Sequence, residues 1–119
     1  MYESIFCKVQ YLEEKNAILC EWKQFCHGED YREPFYFALE LIKVKQIHTW
    51  ITDTTNGFEN EEADTQWLLE EYMPQLIQSS VKKIVFIIGK ESLLMNEIEE
   101  QVQSLKDFFD VELLESLDV

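Results

Sequence analysis

The residues best equipped for chemistry lie near the middle of the chain. Asp53-Thr54-Thr55-Asn56-Gly57 places a carboxylate, two hydroxyls and an amide on consecutive positions that read as a loop. An expected strand precedes it, and open α/β sheets bind ligands beyond the carboxyl ends of their parallel strands. Asp53, Thr54, Thr55 and Asn56 are therefore candidates for contact with a partner or ligand. The competing reading is local: Asp53, Thr55 and Asn56 make turn and cap hydrogen bonds to nearby backbone N–H groups. Trp67 and Tyr72 follow on the next expected helix. Aromatics at helical spacing more often belong to a core than to a binding site.

Catalytic signatures are missing. The sequence has no Gly-x-Ser-x-Gly, no glycine-rich phosphate loop and no His-Glu-x-x-His. Asp53 has no His or Lys beside it, and the chain's 2 histidines leave few bases. No enzyme activity and no cofactor are expected. Cys7, Cys20 and Cys26 follow no metal spacing. Cys26-His27 offers two ligands, but His48 stands alone and no further Cys or His lies nearby, so no metal is expected. An odd count of cysteines, with no signal peptide in the alternating segment around Glu3 and Lys8, points to reduced thiols in a cytoplasm.

Charge narrows the partners. Ten Lys plus Arg against 24 Asp plus Glu give a formal net charge of −14. Phosphate backbones and anionic lipid headgroups repel such a chain, so neither nucleic acid nor membrane is expected. Residues 46–81 hold seven acids and no Lys or Arg, and residues 91–119 hold nine acids and one Lys. These runs solvate helix faces or present a docking surface to a basic protein. The longest run of large apolar residues, 84–88, is far short of a membrane span.

The elements that must position these residues follow from periodicity. Length alone predicts one domain over residues 1–119. Residues 4–12 and 17–25 alternate and read as a hairpin. In its register Cys7 faces Trp22, Val9 faces Cys20, Tyr11 faces Ile18, and Lys8 faces Glu21 on the other side. Residues 30–46 read as a helix. Asp30 and Glu33 form a capping box, Pro34 falls in the first turn, and Phe35, Ala38, Leu41 and Ile42 point inward, flanked by Phe37 and Val44. Residues 47–52 read as a strand, and 60–79 as a helix broken near Met73 by Pro74. The continuous run 84–88 reads as a central strand of a sheet with helices over both faces. Residues 92–109 read as the clearest helix and 111–117 as a last strand. The order β-β-α-β-α-β-α-β predicts an α/β fold with a mixed, mostly parallel sheet and an N-terminal hairpin at its edge.

This order and several short motifs resemble the STAS fold of sulphate transporters and anti-sigma-factor antagonists. The likeness is closer to small bacterial STAS-like proteins, often labelled after spore anti-sigma-factor antagonists and CRAL-TRIO lipid carriers. The matching stretches are Glu29-Asp30-Tyr31-Arg32, Asp53-Thr54-Thr55-Asn56, Asp64-Thr65-Gln66-Trp67, Glu71-Tyr72-Met73-Pro74 and Val81-Lys82-Lys83-Ile84. The resemblance implies a regulatory module that binds a protein partner. In the antagonists the corresponding loop reads Asp-Ser-Ser-Gly and its second Ser accepts phosphate, which maps a phosphoacceptor onto Thr55. The dianion would repel an acidic surface or recruit Arg. Here Asn56 replaces the antagonists' Gly, and Glu59, Glu61, Glu62 and Asp64 would repel a phosphate. The lipid-carrier likeness implies instead a small apolar ligand held in a cleft lined by Trp67 and Tyr72. Relatives usually end in a short Trp-Leu helix, whereas this sequence stops at Val119. The apolar patch under such a helix is then expected to be exposed or to meet a second copy, as a homodimer.

Overall fold

The computed structural model describes residues 1–56, 60–89 and 95–115. The strands are β1 (Tyr2–Glu3), β2 (Cys7–Leu12), β3 (Ala17–Trp22), β4 (Thr49–Asp53), β5 (Lys83–Ile87) and β6 (Asp110–Leu114). The helices are α1 (Glu29–Lys45), α2 (Glu62–Trp67), α3 (Met73–Ile77) and α4 (Met95–Leu105). One six-stranded sheet runs in chain order, antiparallel from β1 to β3 and parallel from β3 to β6. The fold class is therefore the expected one. β1 was not expected, since two residues are too few for alternation to register.

The hairpin has the register read from its side chains: Cys7 opposite Trp22, Lys8 opposite Glu21, Val9 opposite Cys20 and Tyr11 opposite Ile18. Its turn is a single 3₁₀ turn, Glu13–Lys15, closed by Asn16 at φ 46°. Asn tolerates that left-handed backbone better than most residues, and its N–H donates to the Glu13 carbonyl at 3.2 Å.

α1 departs from expectation at both ends. It starts at Glu29 with Gly28 as cap, so the Asp30–Glu33 capping box does not form and Pro34 lies in the second turn. Gly28 sits at φ 60°, where a side chain would be strained. The buried face adds Tyr31 and Leu39, whereas Val44 is 75% exposed.

The segment after the loop is helical, and the break expected near Met73 is a change in helix type. α2 passes into a π-helical turn, Leu68–Tyr72, which continues directly into α3. The Met73 N–H donates to the Leu68 carbonyl, five residues back. Pro74 lacks an N–H, and in an α-helix its ring would press on the carbonyl of Glu70. Widening the preceding turn relieves that conflict while the helical bonding continues. The wide turn also brings residues five apart to one side, so the Trp67 and Tyr72 rings meet at 5.6 Å.

β5 lies inside the sheet, between β4 and the edge strand β6 rather than at its centre, and its residues 84–87 are buried as the unbroken apolar run predicts. Among the described residues, helices do not cover both faces as expected. Every described helix packs on one face, with Cys20, Trp22, Trp50, Ile84 and Phe86 beneath. The opposite face buries Ala17, Leu19, Ile51, Val85 and Ile87, flanked by Leu12 and Leu114. Strands in chain order, joined each time by a right-handed crossover, send every connecting helix to the same side. The described part of the last helix ends at Leu105, and the last strand begins at Asp110. Residues 92–94 and 116–117 of the expected elements lie outside the described residues.

Candidate functional site

The helix-covered face holds a ring of aromatics centred on Phe35. Its ring lies 5.0–5.8 Å from those of Trp22, Tyr31, Trp50, Trp67 and Tyr72. These come from β3, α1, β4, α2 and the π turn, so no contiguous motif announces them. Several meet edge to face, the arrangement that the ring quadrupole favours. The Tyr72 hydroxyl donates to the Phe35 carbonyl at 2.9 Å, which locks the π turn to α1. Burial drives the Tyr72 and Cys20 groups well above their ordinary pKa values, so both stay neutral.

Beneath these rings lies a cavity of about 100 Å³. Trp22, Trp50, Ile84 and Phe86 rise from the sheet, Tyr31 and Phe35 come from α1, and Leu68, Tyr72, Met73 and Leu76 cover it. The sheet explains the space. Cys20 and Thr52 are register partners with short side chains, set between the taller Trp22 and Trp50. The cavity lies over the carboxyl ends of β4 and β5, where Thr54 also reaches its wall. Asn60, Leu68, Met73, Gln101 and Leu105 belong both to this cavity and to an outer groove of about 670 Å³ between the π turn and α4.

The loop residues do separate jobs. The Asp53 Oδ1 accepts the Thr55 N–H at 2.9 Å, the turn bond that the local reading expects. The Thr54 N–H and hydroxyl both donate to the Ile87 carbonyl, at 2.9 and 2.8 Å, and tie the loop to the end of β5. Thr55 and Asn56 are exposed, and Gly57 lies outside the described residues. Of the six candidates, Thr54 and Tyr72 line the cavity. Trp67 stands behind it, against Tyr31, Phe35 and Tyr72. Asp53, Thr55 and Asn56 stay outside. Thr52, Asn60 and Gln101 were missed. Extending the alternation of β4 by one step would have placed Thr52 and Thr54 beside Trp50, whereas Asn60 and Gln101 carry no local signal.

A buried ion pair fixes the far wall of the aromatic cluster. Asp64 on α2 is 2% exposed. It accepts the Gly28 N–H at 3.1–3.2 Å and the Arg32 Nε–H at 3.3 Å. Arg32 also covers the Trp67 ring, its Cζ 5.3 Å from the centroid. The carboxylate thus takes the place of a cap at the start of α1 and joins α1 to α2. The cysteines Cys7, Cys20 and Cys26 are free and buried. Burial pushes the Cys7 thiol up to about 12 and the Cys26 thiol to about 11. Among the described residues no group of three or more His, Cys, Asp or Glu side chains is arranged to hold a metal ion, and no helix is long and apolar enough to cross a membrane.

The molecule is thus an α/β protein with helices on one face of a sequential sheet and an aromatic cavity at the carboxyl ends of its parallel strands. No family model, curated protein or solved structure matches the chain.

Proposed function

We propose that this protein is a non-catalytic cytoplasmic module of STAS-like architecture that binds a small, mainly apolar ligand. The observation that carries the reading is the cavity of about 100 Å³ walled by Trp22, Phe35, Trp50 and Tyr72. Small-molecule sites are typically concave, apolar and provided with a few convergent polar groups. Its described lining holds hydroxyls and amides but no carboxylate, imidazole, amine or thiol. That lining supports retention of a ligand over proton transfer to it. The β-β-α-β-α-β-α-β order that suggested the STAS likeness recurs from β2 to β6 and supports it. Titrating the protein with toluene tests the reading, because Trp22 and Trp50 report through their fluorescence. A saturable change is expected. A response that stays flat up to the solubility limit removes it.

A protein-partner role is the second reading, and the exposed Thr55 and Asn56 favour it. They follow Asp53 and Thr54, whose bonds pin this end of the loop, and offer an exposed surface for docking or modification. Thr55→Glu and Asn56→Arg should alter any association seen on pull-down. Association unchanged in both variants counts against this role.

A further inference from the structure

Thr52 sits at the floor of the cavity and is nine-tenths buried, with 9% of its surface exposed. Its hydroxyl has no hydrogen-bond partner among the described residues, unlike that of Thr54 two positions on. Every fully occluded side-chain N or O atom does have a partner. The Thr52 hydroxyl must therefore open onto the cavity space. A hydroxyl that faces a cavity and has no protein partner is free to hydrogen-bond a ligand atom placed there. The surrounding walls are rings, and the described lining carries no charged side chain. An ion placed there would lose its hydration without a counter-charge. The outer groove adds Glu62 and Glu100 and no Lys or Arg among its described residues, which disfavours anions further. The volume of about 100 Å³ is two-thirds that of an engineered apolar cavity of about 150 Å³ that holds benzene, which limits an occupant to a single ring.

Resting on the proposed ligand-binding role, we propose that the ligand class is a neutral, single-ring aromatic with one hydrogen-bonding group, a phenolic hydroxyl or ring N–H, directed at the Thr52 hydroxyl. Stacking and edge contacts with Trp22, Phe35 and Trp50 hold the ring, and Thr52 selects its polar edge.

The test titrates the full chain with phenol, toluene and benzoate, read by tryptophan fluorescence and calorimetry. Phenol should bind about fivefold more tightly than toluene, the worth of one neutral hydrogen bond. Benzoate should bind more weakly than either. Thr52→Val should abolish the preference for phenol and leave toluene binding unchanged, while Thr52→Ser should keep the preference. Equal affinities for phenol and toluene, a preference that survives Thr52→Val, or benzoate binding as tight as phenol overturns this inference and leaves the ligand-binding role standing. Failure of all three probes to bind overturns both.

Discussion

Trp50 and Ile51 are neighbours on β4, yet they stand on opposite faces of the sheet in different company. Trp50 joins a face of rings, stacked on Phe35 at 5.8 Å and edge-on to Tyr72 at 6.0 Å. Ile51 joins Ala17, Leu19, Val85 and Ile87, a small aliphatic cluster. Branched aliphatic side chains interdigitate closely on a pleated surface. Flat rings that meet at right angles leave gaps wherever a short side chain lies between them, as Thr52 does here. The cavity therefore belongs to the ring face for a packing reason. The aliphatic face closes the sheet, and the ring face is where ligand chemistry becomes possible.

The sharpest way to break this contrast is to truncate both neighbours. Trp50→Ala should lower the unfolding free energy by about 4 kcal/mol, and Ile51→Val by about 1 kcal/mol. Urea unfolding measures both. The larger loss removes a cavity wall as well, so toluene binding should fall with Trp50→Ala and persist with Ile51→Val. Toluene binding lost equally in both variants would place the ligand site elsewhere.

Ion pairs separate the two faces in the same way. Lys83 and Glu112, partners at 2.8 Å on the aliphatic face, are 34% and 45% exposed. Arg32 and Asp64 on the ring face are further apart, at 3.3 Å, but Asp64 is 2% exposed and also holds the Gly28 N–H. Removing Asp64 strands a guanidinium and a backbone donor that the pair had satisfied. Asp64→Ala should cost about 3 kcal/mol, whereas Glu112→Ala should cost about 0.5 kcal/mol, because water and salt screen the exposed pair. Urea midpoints in low and high salt check the ranking. A larger effect at Glu112 would mean that distance outweighs burial here.

Much of this contrast was legible in the sequence, and the rest was not for identifiable reasons. The hairpin register followed from two matched sets of side chains, because a one-residue slip inverts a whole strand. The run 84–88 announced a strand inside the sheet, buried on both sides, but burial of both faces says nothing about what covers each. The inference of helices on both faces failed there, since crossover handedness and strand order decide the side. The break expected near Met73 takes the form of a change in helix type, since a π turn precedes Pro74 and α-helical bonding resumes at Met73. In the site, Tyr72 was visible as an aromatic at helical spacing. Thr52 looked like an ordinary strand residue, because its importance comes from Cys20 across the ladder and from rings on other elements. The Gly28–Asp64 contact joins positions 36 apart in sequence and has no local signature.

Alkaline pH should weaken the ring face selectively. Cys7 belongs to it, and burial raises its thiol from the ordinary 9.0 to about 12. Cys26 rises to about 11 for the same reason. Folding thus favours the protonated thiols. Their contribution is complete below pH 9 and declines as pH climbs from 9 toward 11 and 12, where the unfolded chain ionises first. Urea midpoints should drop between pH 8 and pH 10, and the drop should be smaller in Cys7→Ala. An identical drop in that variant would assign the alkaline loss to other groups.

The smallest expected effect divides the ring face itself. Thr52 on β4 and Thr54 just beyond its end lie two residues apart and both line the cavity, and the difference between them is the partner. The Thr54 hydroxyl donates to the Ile87 carbonyl at 2.8 Å, so Thr54→Val should cost about 1 kcal/mol. The Thr52 hydroxyl has no such bond among the described residues and opens onto the cavity, so replacing it with a methyl breaks no protein hydrogen bond and strands no partner. Thr52→Val should leave the urea midpoint unchanged or raise it by about 0.5 kcal/mol equivalent. If Thr52→Val instead costs as much as Thr54→Val, the hydroxyl serves the fold, and the distinction between a packing threonine and a ligand-facing one disappears.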